Sequence, residues 1–84
     1  MTDMEGKVMA EHVAYWTELA DRGIAIVFGP VADPQGVWGL GILEVEDEAI
    51  VQSLTSNDPV VMSGIGAKYE ILPMPRAVIG RKRT

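Results

Sequence analysis

Residues 24–45 read IAIVFGPVADPQGVWGLGILEV, and the fold turns on how this stretch is read. Ile24–Phe28 is a short, β-branched apolar run, which predicts a buried strand. Gly29-Pro30 is expected to end it, because proline has no N–H to give to a ladder. Asp33-Pro34-Gln35-Gly36 has β-turn chemistry, with Asp first, Pro second and Gly last. Val37–Val45 then reads as a second strand. Gly39 and Gly41 alternate along it and leave part of one face bare, a surface that a ligand or another backbone can approach closely.

Working outward, Met1–Arg22 predicts a helix. Thr2 with Glu5 fits a capping box, and Asp3 is an alternative N-cap. Val8/Met9, His12/Val13, Trp16 and Leu19/Ala20 recur at steps of three and four, an amphipathic stripe. Gly23 is placed to stop the helix. On the other side, Glu46–Thr55 predicts a second helix with Ala49, Ile50 and Leu54 inward. Ser56-Asn57-Asp58-Pro59 breaks it, and Val60–Gly66 is a turn or a single helical turn. Ala67–Leu72 alternates and reads as a third strand, closed by Pro73-Met74-Pro75.

The order is α-β-β-α-β, which gives an α+β fold with two helices on one face of a small antiparallel sheet. It matches the ferredoxin-like plait, β-α-β-β-α-β, with the first strand missing. That strand normally lies centrally in the sheet, so its absence would leave a gap rather than a trimmed edge. Arg76–Gly80 is the one unassigned stretch with strand character. It is expected to supply the missing pairing, in its own subunit or in a partner's. Residues 1–75 are therefore read as the domain and residues 76–84 as a basic tail, exchanged or added as a strand.

The chain has 84 residues, no cysteine and one histidine. That length allows one small domain with a marginal core, which favours self-association. Without cysteine there is no disulfide and no Cys-based zinc site. No metal-ligand spacing, phosphate-binding glycine loop or nucleophile motif appears, so no metal or cofactor is expected. Twelve acidic residues stand against seven basic ones, a net charge of −5. The first 75 residues hold all twelve acids and only Lys7, Arg22 and Lys68 as bases. Arg76, Arg81, Lys82 and Arg83 crowd the last nine positions. An acidic body argues against nucleic acid as a partner, and the basic end reads as a solvated terminus. No apolar run approaches the roughly 20 residues that span a bilayer. Glu11 and His12 interrupt the N-terminus where a signal peptide needs an apolar run, so a cytoplasmic location is expected and no membrane association.

His12 is the one side chain whose ordinary pKa lies near neutrality. It sits on or beside the apolar stripe of the first helix, one turn before Trp16. A working histidine often needs a carboxylate to fix its tautomer, and Asp58 is the best-placed candidate, since the two helices of a plait lie side by side. Plainer readings stand beside these. A lone histidine on a helix face is commonly packed or solvent-facing, and Asp58 before Pro59 also fits an N-cap with proline at N1. Gly29 and Pro30 leave room for a substrate, with Trp16, Trp38 and Tyr69 as candidate walls. Tryptophans such as Trp16 and Trp38 are more often core than ligand platforms.

Taken in order, several pieces form a pattern: His12-Val13-Ala14-Tyr15-Trp16, Leu19-Ala20-Asp21-Arg22-Gly23, Phe28-Gly29-Pro30 with Asp33 and Gly36, Gly39-Leu40-Gly41, Asp58-Pro59 with Gly64, and Tyr69-Glu70-Ile71. Over about residues 8–73 this set resembles the YCII-related family of small bacterial proteins. The resemblance implies a ferredoxin-like dimeric α+β barrel in which the sheets of two subunits pack face to face. It implies that His12 and Asp58 match the family's His–Asp pair, proposed as an active site in a cleft. It also places the chain near muconolactone isomerase-like proteins, which implies isomerisation or elimination on a small cyclic or aromatic-derived substrate. The departure from the family pattern is the missing first strand. The alternative expectation is a non-catalytic, dimeric ligand-binding or accessory protein in which His12 and Asp58 form a buried structural pair.

Overall fold

The computed structural model describes residues 3–64 and 66–80. Helix α1 spans Asp3–Asp21, strand β1 Ala25–Val31, strand β2 Trp38–Leu43, helix α2 Glu48–Ser56, and the single-turn helix α3 Pro59–Met62. The α+β class is as expected. Thr2 and the basic residues Arg81, Lys82 and Arg83 lie outside the described residues.

Helix α1 ends as its sequence dictates. Gly23 adopts φ +79°, a left-handed conformation that costs glycine little. This turn lets Gly23 N–H reach Ala20 C=O and Ile24 N–H reach Leu19 C=O, both at 3.0 Å, a Schellman closure that satisfies two carbonyls of the last turn. The buried seam of the helix is narrower than the expected stripe. Val8, Trp16 and Leu19 are buried, with His12 and Tyr15 half-buried beside them, while Met9, Val13 and Ala20 face solvent.

Strands β1 and β2 pair antiparallel, with Phe28 opposite Gly41 and Val31 opposite Trp38, and a bulge between Ala25 and Val27. The turn forms as its residues require. Gly36 N–H bonds Asp33 C=O at 2.9 Å, and the Asp33 carboxylate accepts Gln35 N–H at 2.9 Å. All four strand boundaries differ from the sequence reading, β1 starting at Ala25 rather than Ile24 and β2 at Trp38 rather than Val37. Gly29-Pro30 does not end β1; both stay in the ladder, with Pro30 opposite Gly39. Proline is tolerated there because β1 has a neighbour on one side only. The second strand stops at Leu43 rather than Val45.

The expected third strand at 67–72 makes no ladder, and the sheet has two strands. Among the described residues no strand stands beside this segment to receive its hydrogen bonds. Residues 77–80 are likewise unpaired within the chain, and Val78 is 100% exposed, so they do not fill the gap in their own subunit. Helix α2 spans Glu48–Ser56 rather than Glu46–Thr55, with Asp47 as its N-cap accepting Ile50 N–H at 3.1 Å. Its inward face is Leu54 and Thr55, whereas Ala49 and Ile50 are exposed.

The core is small. Trp16, Leu19 and Ala25 form its buried centre, with Tyr15, Ile24, Phe28, Leu43, Leu54 and Tyr69 packed around them. α1 contacts both β1 and α3, so the middle of α1 faces the hairpin on one side and the start of α3 on the other. His12 and Trp16 occupy that middle.

Candidate functional site

The site is organised by Asp58. Its local role follows from sequence: it is the N-cap of α3, with Pro59 behind it and Val60 N–H bonded to Oδ1 at 2.9 Å. Capping holds the carboxylate at the α1–α3 contact. There Trp16 Nε1–H donates to Oδ2 at 2.7 Å and Tyr69 O–H donates to the same oxygen at 2.5 Å. His12 Nδ1 lies 2.9 Å from both oxygens. Asp58 is 0% exposed, yet it has four donor groups around it.

Those donors set its charge. Burial is the largest influence and pushes the carboxyl upward, but the bonds from Trp16, Tyr69, His12 and Val60 together outweigh it and hold Asp58 below the usual carboxylate range. Asp58 is therefore an anion at neutral pH. Burial and the adjacent Asp58 push the Tyr69 phenol well above the ordinary tyrosine range. Burial first, then the Asp58 charge, also raises Tyr15, whose O–H donates to Leu54 C=O at 2.6 Å. Among the described residues no buried side-chain nitrogen or oxygen lacks a partner.

An ionised carboxylate can only accept, so His12 must present its proton at Nδ1. In the neutral ring this leaves the Nε2 lone pair free, and among the described residues no hydrogen bond engages Nε2. The His12 side chain is 15% exposed, against none for Asp58. The pair is thus graded, with the carboxylate sealed and the imidazole at the margin. Phe28 fixes the ring from the hairpin side. It meets His12 edge-on at 5.4 Å between centroids and stacks on Trp16 at 4.1 Å and 5°.

Gly41 makes room for this stack. A Cβ built there would fall 2.5 and 2.8 Å from Phe28 ring carbons. The bare strand face expected from the sequence is therefore occupied at Gly41 by a ring of the same protein. At Gly39 it remains open, with nothing within 4 Å of such a Cβ.

The other expected site residues separate into groups. Trp16 and Tyr69 lie at the site, but their polar atoms bind Asp58. Gly29 and Pro30 line a hollow of about 160 Å³ with Val27, Phe28, Val31 and Leu40. Trp38 lies three residues before Gly41 at the start of β2, roughly 10 Å away, with its indole N–H on Asp33 at 3.0 Å. A larger hollow of about 330 Å³ beside α2 reaches the site only through Tyr69. Among the described residues no cluster of three or more His, Asp or Glu could hold a metal ion, and no helix is long and apolar enough to cross a membrane.

Phe28 as the partner of Trp16 and His12 is the contribution that sequence reasoning missed. Its signal was the pairing of a lone phenylalanine with a glycine-alternating strand. Comparison with known proteins agrees with the motifs. Neither the curated proteins nor the solved structures give a significant match. The model of the YCII-related domain matches residues 2–75, nearly the whole chain, and the protein belongs to the YCII-related family.

Proposed function

We propose that this YCII-related protein transfers protons by acid–base chemistry on a small cyclic or aromatic-derived substrate, in an isomerisation or elimination. The observation that carries this reading is the His12–Asp58 pair, in which a sealed carboxylate engages Nδ1 and leaves Nε2 uncommitted. Nε2 takes a proton from a carbon acidified by a neighbouring carbonyl, forming imidazolium and an enolate. In isomerisation it returns that proton to a different atom of the substrate. Asp58 orients the ring and balances the imidazolium charge. Gly29 and Pro30 stand on the substrate side with Phe28, and Trp38 is a peripheral contact. The reading includes a homodimer, a small-molecule ligand, no cofactor and a cytoplasmic setting.

A second reading has support of its own. Asp58 is fully buried and multiply bonded, as in a structural clasp, which suits a non-catalytic ligand-binding or accessory dimer. One experiment separates the two. Wild type, His12→Ala and Asp58→Ala are incubated in D₂O with a panel of muconolactones, hydroquinones and related small acids, and deuterium incorporation and product are followed by NMR. A general acid–base group contributes about 10²–10⁴-fold, and His12→Ala should lose that factor while keeping its fold. Any turnover that is indifferent to His12→Ala rejects the catalytic assignment.

A further inference from the structure

The two edges of the hairpin are not equivalent, and the difference points to a partner. Pro30 pairs with Gly39. Having no N–H, Pro30 cannot exchange hydrogen bonds across that pair. The inter-strand bonds therefore belong to the flanking pairs, Gly29–Leu40 and Val31–Trp38, because such bonds alternate along an antiparallel ladder. It follows that Phe28 and Pro30 on β1, and Gly39 and Gly41 on β2, turn their main-chain groups away from the hairpin.

The outer edge of β1 consequently lacks a donor at Pro30, a device that blunts an edge against pairing. The outer edge of β2 has donors at both glycines, and Trp38–Leu43 contains no proline and no lysine. Gly39 and Gly41 are exposed, and no side chain at either stands in the way of an approaching backbone. A two-stranded hairpin is marginal without a further neighbour, and here only one of its edges is open to one.

The chain carries a segment that fits. Ala77-Val78-Ile79-Gly80 is apolar, forms no ladder in its own subunit, and leaves Val78 fully exposed and Ile79 half-exposed. Arg76 precedes it, and Arg81, Lys82 and Arg83 follow it in sequence. The residues that continue from β2 include Glu44, Glu46, Asp47 and Glu48. A basic-flanked strand thus has an acidic counterpart beside the open edge.

We infer that residues 77–80 of one copy add to the outer edge of β2 of a second copy, and that the exchange is reciprocal. The two additions obey one two-fold axis, so the assembly closes as a dimer. This does not rest on the acid–base reading, since neither His12 nor Asp58 takes part.

The test uses the full chain and Val78→Pro, which removes a donor and fixes the backbone at a residue that touches nothing in its own subunit. Mass is measured by light scattering, and amide exchange of Gly39 and Gly41 by NMR. A dimeric wild type is expected, with both glycine amides exchanging at least about tenfold more slowly than in Val78→Pro. The variant should be monomeric with an unchanged near-UV spectrum. Reversing Arg81, Lys82 and Arg83 to Glu should weaken the dimer, and salt should weaken the wild type by screening. A monomeric wild type, slow glycine amides in a monomer, or a dimer that survives Val78→Pro would each overturn the inference.

Discussion

Asp58→Asn keeps the shape of the side chain and removes one acceptor, and the geometry fixes what that costs. Oδ2 receives Trp16, Tyr69 and His12, while Oδ1 receives Val60 and His12. Asparagine offers one oxygen and one NH₂. With NH₂ at the Oδ2 position, Tyr69 can turn its hydroxyl and accept, and His12 can change tautomer. Trp16 can do neither, so its buried indole N–H meets another donor. With NH₂ at the Oδ1 position, Val60 N–H loses its cap. Either orientation strands a buried donor, at about 1–3 kcal/mol, and weakens bonds to a charge that are worth about 1.5–3 kcal/mol each. A net loss of about 2–4 kcal/mol is expected, a large share of the roughly 4–13 kcal/mol that the per-residue rule gives a chain of 84 residues. Thermal melts followed by near-UV circular dichroism should show a midpoint lowered by roughly 10–30 °C. Urea melts give the free energy itself. A loss below about 1 kcal/mol with an unchanged m value would refute the claim that the carboxylate holds α1, α3 and the Tyr69 segment together.

The same geometry predicts responses to pH and to two other substitutions. Asp58 has a depressed carboxyl pKa in the folded state, so its stabilisation is complete above the unfolded value of 3.8 and is lost as pH falls through the lower folded value. Acid titration of stability should show this loss in wild type, and Asp58→Asn should lack it. Tyr15 and Tyr69 have raised phenol pKa values, so the folded state keeps protons that the unfolded state gives up; stability should fall as pH rises past 10, and absorbance at 295 nm should find neither tyrosine titrating at its ordinary value. Tyr69→Phe removes one O–H donor to the buried anion and should cost about 1.5–3 kcal/mol, measured by urea melts. Gly41→Ala must displace the Phe28 ring. That overpacking should cost about 1–3 kcal/mol and alter the Trp16 near-UV signal, and an unchanged spectrum would show the stack to be slack.

Much of this was legible because local chemistry decided it. The Gly23 stop, the Asp33–Gly36 turn and the Asp58-Pro59 cap each depend on a few adjacent residues, and each formed as read. The His12–Asp58 contact was legible only by joining a fold expectation to a family pattern, since the residues stand 46 positions apart. What sequence could not show is decided by neighbours in space. Ala67–Leu72 has strand periodicity, but a strand exists only where another backbone stands beside it, and here its one anchored residue is Tyr69, through Asp58. Pro30 looked like a terminator because its missing N–H was taken to be needed; on the outward side of a hairpin edge it is not. Trp16 read as either core or pocket wall, and it serves as core and donor at once.

The two functional readings make different demands on the same carboxylate, whose donors differ in depth. Trp16, Tyr69 and Val60 bind Asp58 from within the protein and would hold α3 against α1 without any histidine. His12 adds a further donor from the margin, where the ring keeps one nitrogen uncommitted. A purely structural clasp has no use for an ionisable ring there, and a neutral amide donor such as asparagine, whose nitrogen stands where Nδ1 does, would serve as well. His12→Asn is therefore the informative exchange. It keeps a donor at the Nδ1 position and should cost under about 1.5 kcal/mol, the net value of an ordinary hydrogen bond. It also removes Nε2, the nitrogen that the acid–base reading needs. A fold that tolerates His12→Asn together with a lost proton-transfer activity points to chemistry at Nε2. A fold that collapses with His12→Asn assigns the histidine to the clasp.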